Sequence, residues 1–136
     1  MQFQNEISIS ASAEKVFSIY TDVSGWSSWD PEVRASSIVG PFQTGALGTL
    51  KPTKGPEAKI AITDVVSNHS FTVESRLPLC IIRFEHVLTP GAKGTRSLHR
   101  VSFHGFLAPL FGRLIGGQIG SSLPQTLLGL KHAAEK

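Results

Sequence analysis

The sequence predicts an α+β domain in which a curved antiparallel sheet of about seven strands wraps around one long C-terminal helix. Two short helices are expected after the first strand. Three observations support this prediction: apolar and polar residues alternate in short segments through the middle of the chain, helical periodicity is confined to the two ends, and turn-forming Gly and Pro residues separate the alternating segments. Strands joined by short turns pair antiparallel, and the long helix supplies a cover for one face.

The first strand and the first helix are predicted within the first 21 residues. Alternation with polar residues marks the strand at Phe3, Ile7 and Ile9. Ser10 or Ser12 can cap the helix that follows, and Glu14 is favourably placed in its first turn. The apolar face of this helix consists of Val16, Phe17 and Tyr20.

A second short helix is predicted to begin at Asp22 and to carry Trp26 and Trp29. The two tryptophans share one side because they are three residues apart. The helix should end at Asp30, because a residue before proline is pushed out of the helical conformation. Asp30 is interpreted as a helix-end and turn residue. The tryptophans either line a pocket or anchor the helix in the core.

The remaining strands are predicted in the middle of the chain. Alternation is clear at 58–63, 71–76, 81–88 and 98–104, and weaker at 33–39 and 47–51. The inner face should carry Phe71, Val73, Ile82, Phe84, His86, Leu88, His99, Val101 and Phe103. On the outer face, a hairpin loop at 77–80 would place Glu74 opposite Arg83 as an exposed ion pair.

The long helix is predicted from Ala108 to Ala134, with a kink at Pro124. Its apolar positions recur every three to four residues at Phe111, Leu114, Ile115, Ile119, Leu123, Leu127 and Leu130. Its glycines are Gly112, Gly116, Gly117, Gly120 and Gly129. Each costs about 1 kcal/mol relative to alanine, so the glycines either leave room for a ligand or permit close packing.

Composition excludes several classes of protein. The chain has 136 residues, of which 40% are hydrophobic and 17% are charged, which predicts one domain spanning 1–136 with a buried core. The net charge is +3 without a dense basic run, which argues against nucleic-acid binding. The uncharged stretch 101–112 is too short to span a membrane, and the N-terminus lacks the features of a signal peptide. We therefore expect a cytoplasmic protein.

Metal and cofactor sites are not predicted. The single cysteine, Cys80, excludes an internal disulfide and a cysteine-based zinc site, and is interpreted as structural. The five histidines are scattered, with no His-x-x-x-His pair. The chain also lacks a Gly-x-Ser-x-Gly elbow and a phosphate-binding glycine loop.

Two segments carry a resemblance to a known family. The first, ISISASAEKVFSIYTDVSGWSSWDP at 7–31, ends in a Trp-x-x-Trp-Asp-Pro element formed by residues 26–31. The second, GTRSLHRVSFHGFLAPLFGRLIG at 94–116, joins the last strand to the long helix. Together with the strand order, they resemble START-like, Bet v 1-like helix-grip proteins of the polyketide cyclase/dehydrase group. The resemblance implies a helix-grip fold with a cavity between the sheet and the long helix.

The cavity that the resemblance implies defines the candidate site. Its expected ligand-binding residues are Trp26, Trp29, Phe71, Phe84, His86, His99, Val101, Phe103, Phe111, Leu114, Ile115 and Gln118. His86 and His99 would either hydrogen-bond a ligand or transfer a proton, or they are half-buried structural residues. The glycine-rich segment 108–120 is expected to be a mobile lid, and the helix after Pro124 the firmer part.

Three functions are compatible with these features. The leading one is binding or carriage of an apolar small molecule, with no cofactor and no catalytic residue, by a monomer or homodimer. The second is a cyclase/dehydratase-type enzyme that uses His86 or His99 as acid or base. The third is a membrane- or protein-docking module, whose surface would consist of Phe106, Leu107, Leu110, Phe111, Leu114 and Ile115.

Overall fold

The computed structural model describes residues 2–136, so Met1 of the predicted domain 1–136 lies outside the described residues. The chain forms β1 (Gln2–Ile9), α1 (Ala13–Thr21), a 3₁₀ helix (Val23–Ser28), β2 (Val33–Ile38), β3 (Leu47–Pro52), β4 (Ala58–Val66), β5 (Ser70–Leu77), β6 (Cys80–Gly91), β7 (Gly94–His104) and α2 (Ala108–Ala134). This order confirms the predicted fold class, including the two strands with the weaker alternation.

The seven strands form one antiparallel sheet in the order β1-β7-β6-β5-β4-β3-β2. After β1, the two short helices carry the chain to the opposite edge of the sheet. The following strands then return one by one, until β7 pairs with β1. Short turns between sequential strands are the reason for this simple order, because each strand pairs with the next one it meets.

A tight turn at Pro78 and Leu79 sets the register of β5 and β6. Leu77 pairs with Cys80, and Glu74 therefore faces Arg83, as predicted, although both side chains are half-buried and not exposed as expected. The Arg83 guanidinium lies 2.7 Å from the Glu74 carboxylate, and a second contact of 3.0 Å reaches Asp64. The acidic and basic side chains of the outer face thus form a small ion-pair cluster.

The first helix follows the sequence prediction closely. The Ser12 hydroxyl accepts a hydrogen bond from the Lys15 backbone N–H at 3.1 Å and caps α1. Val16, Phe17 and Tyr20 are all buried. The predicted second helix is a 3₁₀ helix, and its Trp26 is buried and donates its indole N–H to the Tyr20 carbonyl at 2.9 Å.

The long helix α2 covers only one side of the sheet. It packs against β1 and β7 and touches β6, whereas no Cα atom of the described α2 residues lies within 8 Å of a Cα atom of β2–β5. Its C-terminal half contributes Leu130 and Ala134 to the first core, a cluster in which Val16, Phe17 and Tyr20 of α1 are also buried. A second core cluster lies between β6, β7 and α2, and consists of Cys80, Ile82, Val101, Phe103, Ala108 and Leu123. The uncovered side leaves room for a cavity.

Two glycines of α2 permit close packing. A Cβ atom at Gly120 would lie 2.8 Å from the Phe3 ring, and one at Gly129 would overlap the Trp29 carbonyl oxygen. By contrast, Gly117 has open space around it. Close packing therefore accounts for Gly120 and Gly129. Pro124 lies within a helix that runs without interruption from Ala108 to Ala134.

Candidate functional site

A cavity of about 750 Å³ lies between the inner face of the sheet and α2. Its size falls within the range of about 300–1,000 Å³ typical of small-molecule sites. Strands β3–β7 contribute its floor, α2 contributes one wall between Ile115 and Thr126, and the end of the 3₁₀ helix with the β3–β4 loop contributes another. The lining is mainly apolar, with a few polar groups.

Most of the predicted site residues line this cavity. They are Trp26, Trp29, Phe71, Phe84, His86, His99, Val101, Ile115 and Gln118. The strand residues among them come from the predicted inner face, which explains why a period-two pattern brought them together. The two tryptophans combine both interpretations made from the sequence, since Trp26 is buried in the first core and also borders the cavity.

The structure places the other three predicted residues outside the cavity lining. Phe103 is buried in the second core cluster, and Phe111 packs against the same cluster. Leu114 is 68% exposed on the outer side of α2. The reason is the position of α2 over β1 and β7, which closes the space beside its N-terminal half and turns Leu114 away from the sheet.

A buried hydrogen-bond network joins α1 to the sheet at the inner end of the cavity. The Tyr20 hydroxyl lies 2.7 Å from His99 Nε2 and 2.8 Å from the Ser97 hydroxyl. All three residues are buried. Burial raises the pKa of the Tyr20 phenol, so this group stays protonated. A phenol donates one hydrogen bond and accepts another, and can therefore satisfy both partners.

His86 lies beside this network on the neighbouring strand. It pairs with His99 across β6 and β7, with 4.6 Å between the ring centroids, and stacks on Phe71 at 4.2 Å. Its Nδ1 atom is buried, without a well-formed hydrogen bond to any residue of 2–136. Burial lowers the pKa of His86 to about 4, although the backbone of Phe71 and of Phe84 opposes part of this effect.

Both imidazoles are neutral near pH 7. Burial lowers the pKa of His99 well below its ordinary value, and the nearby His86 lowers it further. The aromatic rings around His86 belong to Phe71, Tyr20 and His99, and none of them carries a compensating negative charge. The inner end of the cavity therefore combines apolar surface with uncharged hydrogen-bonding groups.

A second polar cluster connects the end of the 3₁₀ helix to α2. Asp30 Oδ1 accepts hydrogen bonds from the Glu32 backbone N–H and from the Thr126 hydroxyl, both at 3.0 Å. Burial raises the pKa of Asp30, whereas these two hydrogen bonds act in the opposite direction. Trp29 Nε1 is buried nearby on the cavity wall, without a hydrogen-bond partner among residues 2–136.

Sequence reasoning missed several cavity residues that carry polar groups, among them Tyr20, Asp30 and Thr126. The apolar face of α1 indicated that Tyr20 is buried, but not that its hydroxyl reaches β7. Asp30 was interpreted as a turn residue, and its contact with Thr126 spans 96 positions of sequence. A pattern within one element cannot reveal a contact between two distant elements.

Charged side chains lie at the opening of the cavity. Lys54, Glu57, Lys59 and Arg76 border the cavity and are all exposed to solvent. Within residues 2–136, no three His, Cys, Asp or Glu side chains converge in a way that could hold a metal ion. The helices of the same range are too short or too polar to cross a membrane.

Only some of the residues predicted to form a docking surface are exposed. Phe106, Leu110 and Leu114 are 84%, 49% and 68% exposed, and Leu79 at the β5–β6 turn is 66% exposed. Leu79 adjoins them, because its carbonyl accepts a hydrogen bond from the Leu107 N–H at 3.0 Å. The other predicted docking residues, Leu107, Phe111 and Ile115, pack against the second core cluster.

Several solved structures share this architecture. A protein of Thermus thermophilus has a similar structure, with a TM-score of 0.77 and 16% identity over 98% of this chain and 97% of that one. The STAR-related lipid transfer protein of Xanthomonas axonopodis has a TM-score of 0.70 and 17% identity, with coverage of 99% and 86%. The di-domain ARO/CYC protein StfQ of the steffimycin biosynthetic pathway has a TM-score of 0.79 and 12% identity, with coverage of 98% and 50%.

These structural likenesses establish the fold. No curated protein matches the sequence. The family model described as polyketide cyclase/dehydrase and lipid transport matches residues 1–135, which is nearly the whole chain. The chain therefore belongs to the polyketide cyclase/dehydrase and lipid transport family.

Proposed function

We propose that this protein binds and carries one apolar small molecule in the cavity between the sheet and α2. The observation that carries this proposal is the volume of about 750 Å³ bordered by aromatic and aliphatic side chains. An apolar molecule that enters such a site exchanges water contacts for close contacts with these side chains. The structural likeness to a lipid transfer protein supports the same role.

The polar groups of the cavity favour binding over catalysis. A general base works best when its pKa lies near the operating pH, and the pKa of His86 is lowered to about 4. Among residues 2–136, no carboxylate contacts either imidazole to orient it or to stabilise its protonated form. In the cyclase/dehydratase alternative, the two candidate histidines would therefore be weak bases.

A pair of substitutions on α2 tests the binding function. Ile119 borders the cavity, so Ile119→Trp should fill part of it and weaken binding at least tenfold. Leu128 is 40% exposed on the same helix and does not line the cavity, so Leu128→Trp provides a matched control that should bind normally. Calorimetry with long-chain alcohols, quinones and aromatic polyketide-like compounds measures affinity and a stoichiometry near one. Equal affinity in both variants would contradict the proposal.

The exposed apolar surface favours a second, compatible function, which is docking on an anionic membrane. This surface comprises Leu79, Phe106, Leu110 and Leu114. Two exposed arginines are near these residues in the sequence, since Arg113 precedes Leu114 and Arg76 lies three positions before Leu79; no Asp or Glu occurs between Glu85 and Glu135. Apolar side chains next to basic ones suit a surface of negatively charged lipids.

Vesicle binding tests this docking function. The wild type should sediment with vesicles that contain phosphatidylglycerol, and less with phosphatidylcholine alone. The double variant Leu110→Ser, Leu114→Ser should lose most of this binding, whereas Leu128→Ser should retain it, because Leu128 lies outside the surface. Equal binding of the two variants would exclude this surface as the docking site.

A further inference from the structure

The polar groups at the inner end of the cavity differ in their capacity for another hydrogen bond. The Tyr20 hydroxyl already engages Ser97 and His99. The His86 side chain belongs to the same cluster but forms no hydrogen bond of ordinary geometry with the described residues. Its Nδ1 atom is enclosed near the backbone of Phe71 and Phe84, so Nε2 is the ring nitrogen that a ligand can reach. A polar group without a partner in a low-dielectric site gains most from a ligand that supplies one.

His86 is also accessible from the cavity. It lies on a central strand of the sheet and lines the cavity, yet its side chain is only half-buried. Phe71 covers one face of the imidazole, and Tyr20 and His99 lie against it at centroid distances of 5.3 and 4.6 Å. The accessible part of the ring therefore borders the space that a ligand would occupy.

Charged groups around the cavity do not offer a partner for a buried anion. The Lys and Arg residues that border the cavity include Lys54, Lys59 and Arg76, which are exposed at its opening. Arg100 belongs to the outer face, where it hydrogen-bonds Gln4 and lies 3.8 Å from Glu85. In the part of the chain that the structure describes, no cationic side chain hydrogen-bonds the inner polar cluster.

We propose that the cavity selects an uncharged ligand with a hydroxyl or carbonyl oxygen, and that His86 forms the hydrogen bond to this oxygen. The proposal rests on the proposed function, in that the cavity holds an apolar molecule. A hydroxyl or carbonyl group needs one partner, which a neutral imidazole supplies as donor or acceptor. An ionised carboxylate at the same place would lose its hydration without meeting a cation, which is strongly unfavourable.

Ligands of equal chain length test this selectivity. Displacement of a fluorescent apolar dye at pH 8 would give dissociation constants for 1-dodecanol, 2-dodecanone, dodecane and dodecanoate. The alcohol and the ketone should bind at least tenfold more tightly than dodecanoate, and also more tightly than the alkane. Dodecanoate binding as tightly as the alcohol would overturn the proposal.

Substitution of His86 tests the residue itself. His86→Phe keeps a flat ring against Phe71 but removes the hydrogen bond, so the preference for alcohol and ketone over alkane should fall about tenfold, while alkane affinity is unchanged. His86→Gln, which retains a donor and an acceptor, should preserve part of the preference. His104→Phe is the matched control, because His104 is exposed on the other face of the sheet.

The outcomes separate the two proposals. If none of the four ligands binds, including the alkane, the proposed function fails and the selectivity fails with it. If the alkane binds but His86→Phe retains the full preference for the alcohol, the carriage function stands and the role of His86 is wrong. Thermal unfolding of each variant checks that the fold is intact, and the His86→Gln variant keeps the test decisive if His86→Phe does not fold.

Discussion

The two halves of α2 bury different kinds of residue. In the first half, 108–120, the buried positions are small: Ala108, Gly112 and Gly116. The second half, 121–134, buries Leu123, Thr126, Leu127, Leu130 and Ala134. The larger side chains of the first half, Phe111, Ile115 and Ile119, are only half-buried against the second core cluster, so this half buries less apolar area than the half that inserts leucines. The second half of α2 is therefore packed more firmly against the rest of the molecule than the first half.

Polar contacts reinforce this difference. The second half is joined to the rest of the molecule by the hydrogen bond from Thr126 to Asp30 and by the one from Lys131 to the Ser8 carbonyl at 3.1 Å. Just beyond it, the Glu135 carboxylate accepts a hydrogen bond from the Ser10 N–H at 2.8 Å. Where the two halves meet, the hydroxyls of Ser121 and Ser122 donate to carbonyls of the preceding turn and remain within the helix.

The largest expected effect on stability comes from shortening a buried leucine in the second half of α2. Leu130 is fully buried, so Leu130→Ala should lower the free energy of unfolding by about 2–5 kcal/mol through lost burial and a new cavity. Leu114→Ala removes the same atoms from an exposed position, and should change stability by less than about 0.5 kcal/mol. Urea unfolding followed by circular dichroism measures both. Similar losses would mean that the two halves are equally important for stability.

Acid should lower the free energy of unfolding, because the two buried histidines of the cavity resist protonation in the folded protein. The pKa of His86 is about 4 in the folded protein and 6.5 ordinarily, so the unfolded chain binds the extra proton between these values. The free energy of unfolding should therefore be highest above pH 6.5. It should decrease by up to about 3 kcal/mol as the pH falls toward 4. The lowered pKa of His99 acts in the same direction.

Urea unfolding at pH 7.5 and at pH 4.5 measures this loss. His86→Phe should reduce the pH dependence, whereas Leu114→Ala should leave it unchanged. If the wild type is equally stable at both pH values, the imidazoles are not kept neutral by burial.

Alanine substitutions at two glycines of α2 should have smaller effects on stability, with opposite signs. Gly129→Ala would bring a methyl group against the Trp29 carbonyl, so we expect a loss of about 1–3 kcal/mol. Gly117→Ala meets nothing within 4 Å and should stabilise the helix by about 0.5–1 kcal/mol. Thermal unfolding of the two variants should show melting temperatures that shift in opposite directions. A stabilising Gly129→Ala would show that the helix can move away from Trp29 at no cost.

Hydrogen exchange should resolve the two halves directly. Amides at 111–120 are expected to exchange at least tenfold faster than those at 126–133, because the first half buries less apolar area and contains more glycine. A bound apolar ligand should slow the first group most, since Ile115, Gln118 and Ile119 border the cavity. Equal protection in both halves, unchanged by ligand, would indicate that α2 is not a lid.

Local patterns predicted much of the fold and part of the site. Period-two alternation located the strands and the inward orientation of Phe71, His86 and His99, because successive side chains of a strand must point to opposite faces. The cap at Ser12 and the extent of α2 followed from equally local rules. The sequence by itself therefore determined the elements, their order and the face that each one buries.

Only the tertiary structure decided where empty space remains. Phe103 and Val101 share one face of β7, yet Phe103 is enclosed in the second core cluster and Val101 also borders the cavity, because α2 crosses the sheet on one side only. The pairing of Tyr20 with His99, and of Asp30 with Thr126, likewise depends on how distant elements dock. Periodicity reports the direction of a side chain relative to its own backbone, whereas a cavity depends on the distance to the next element.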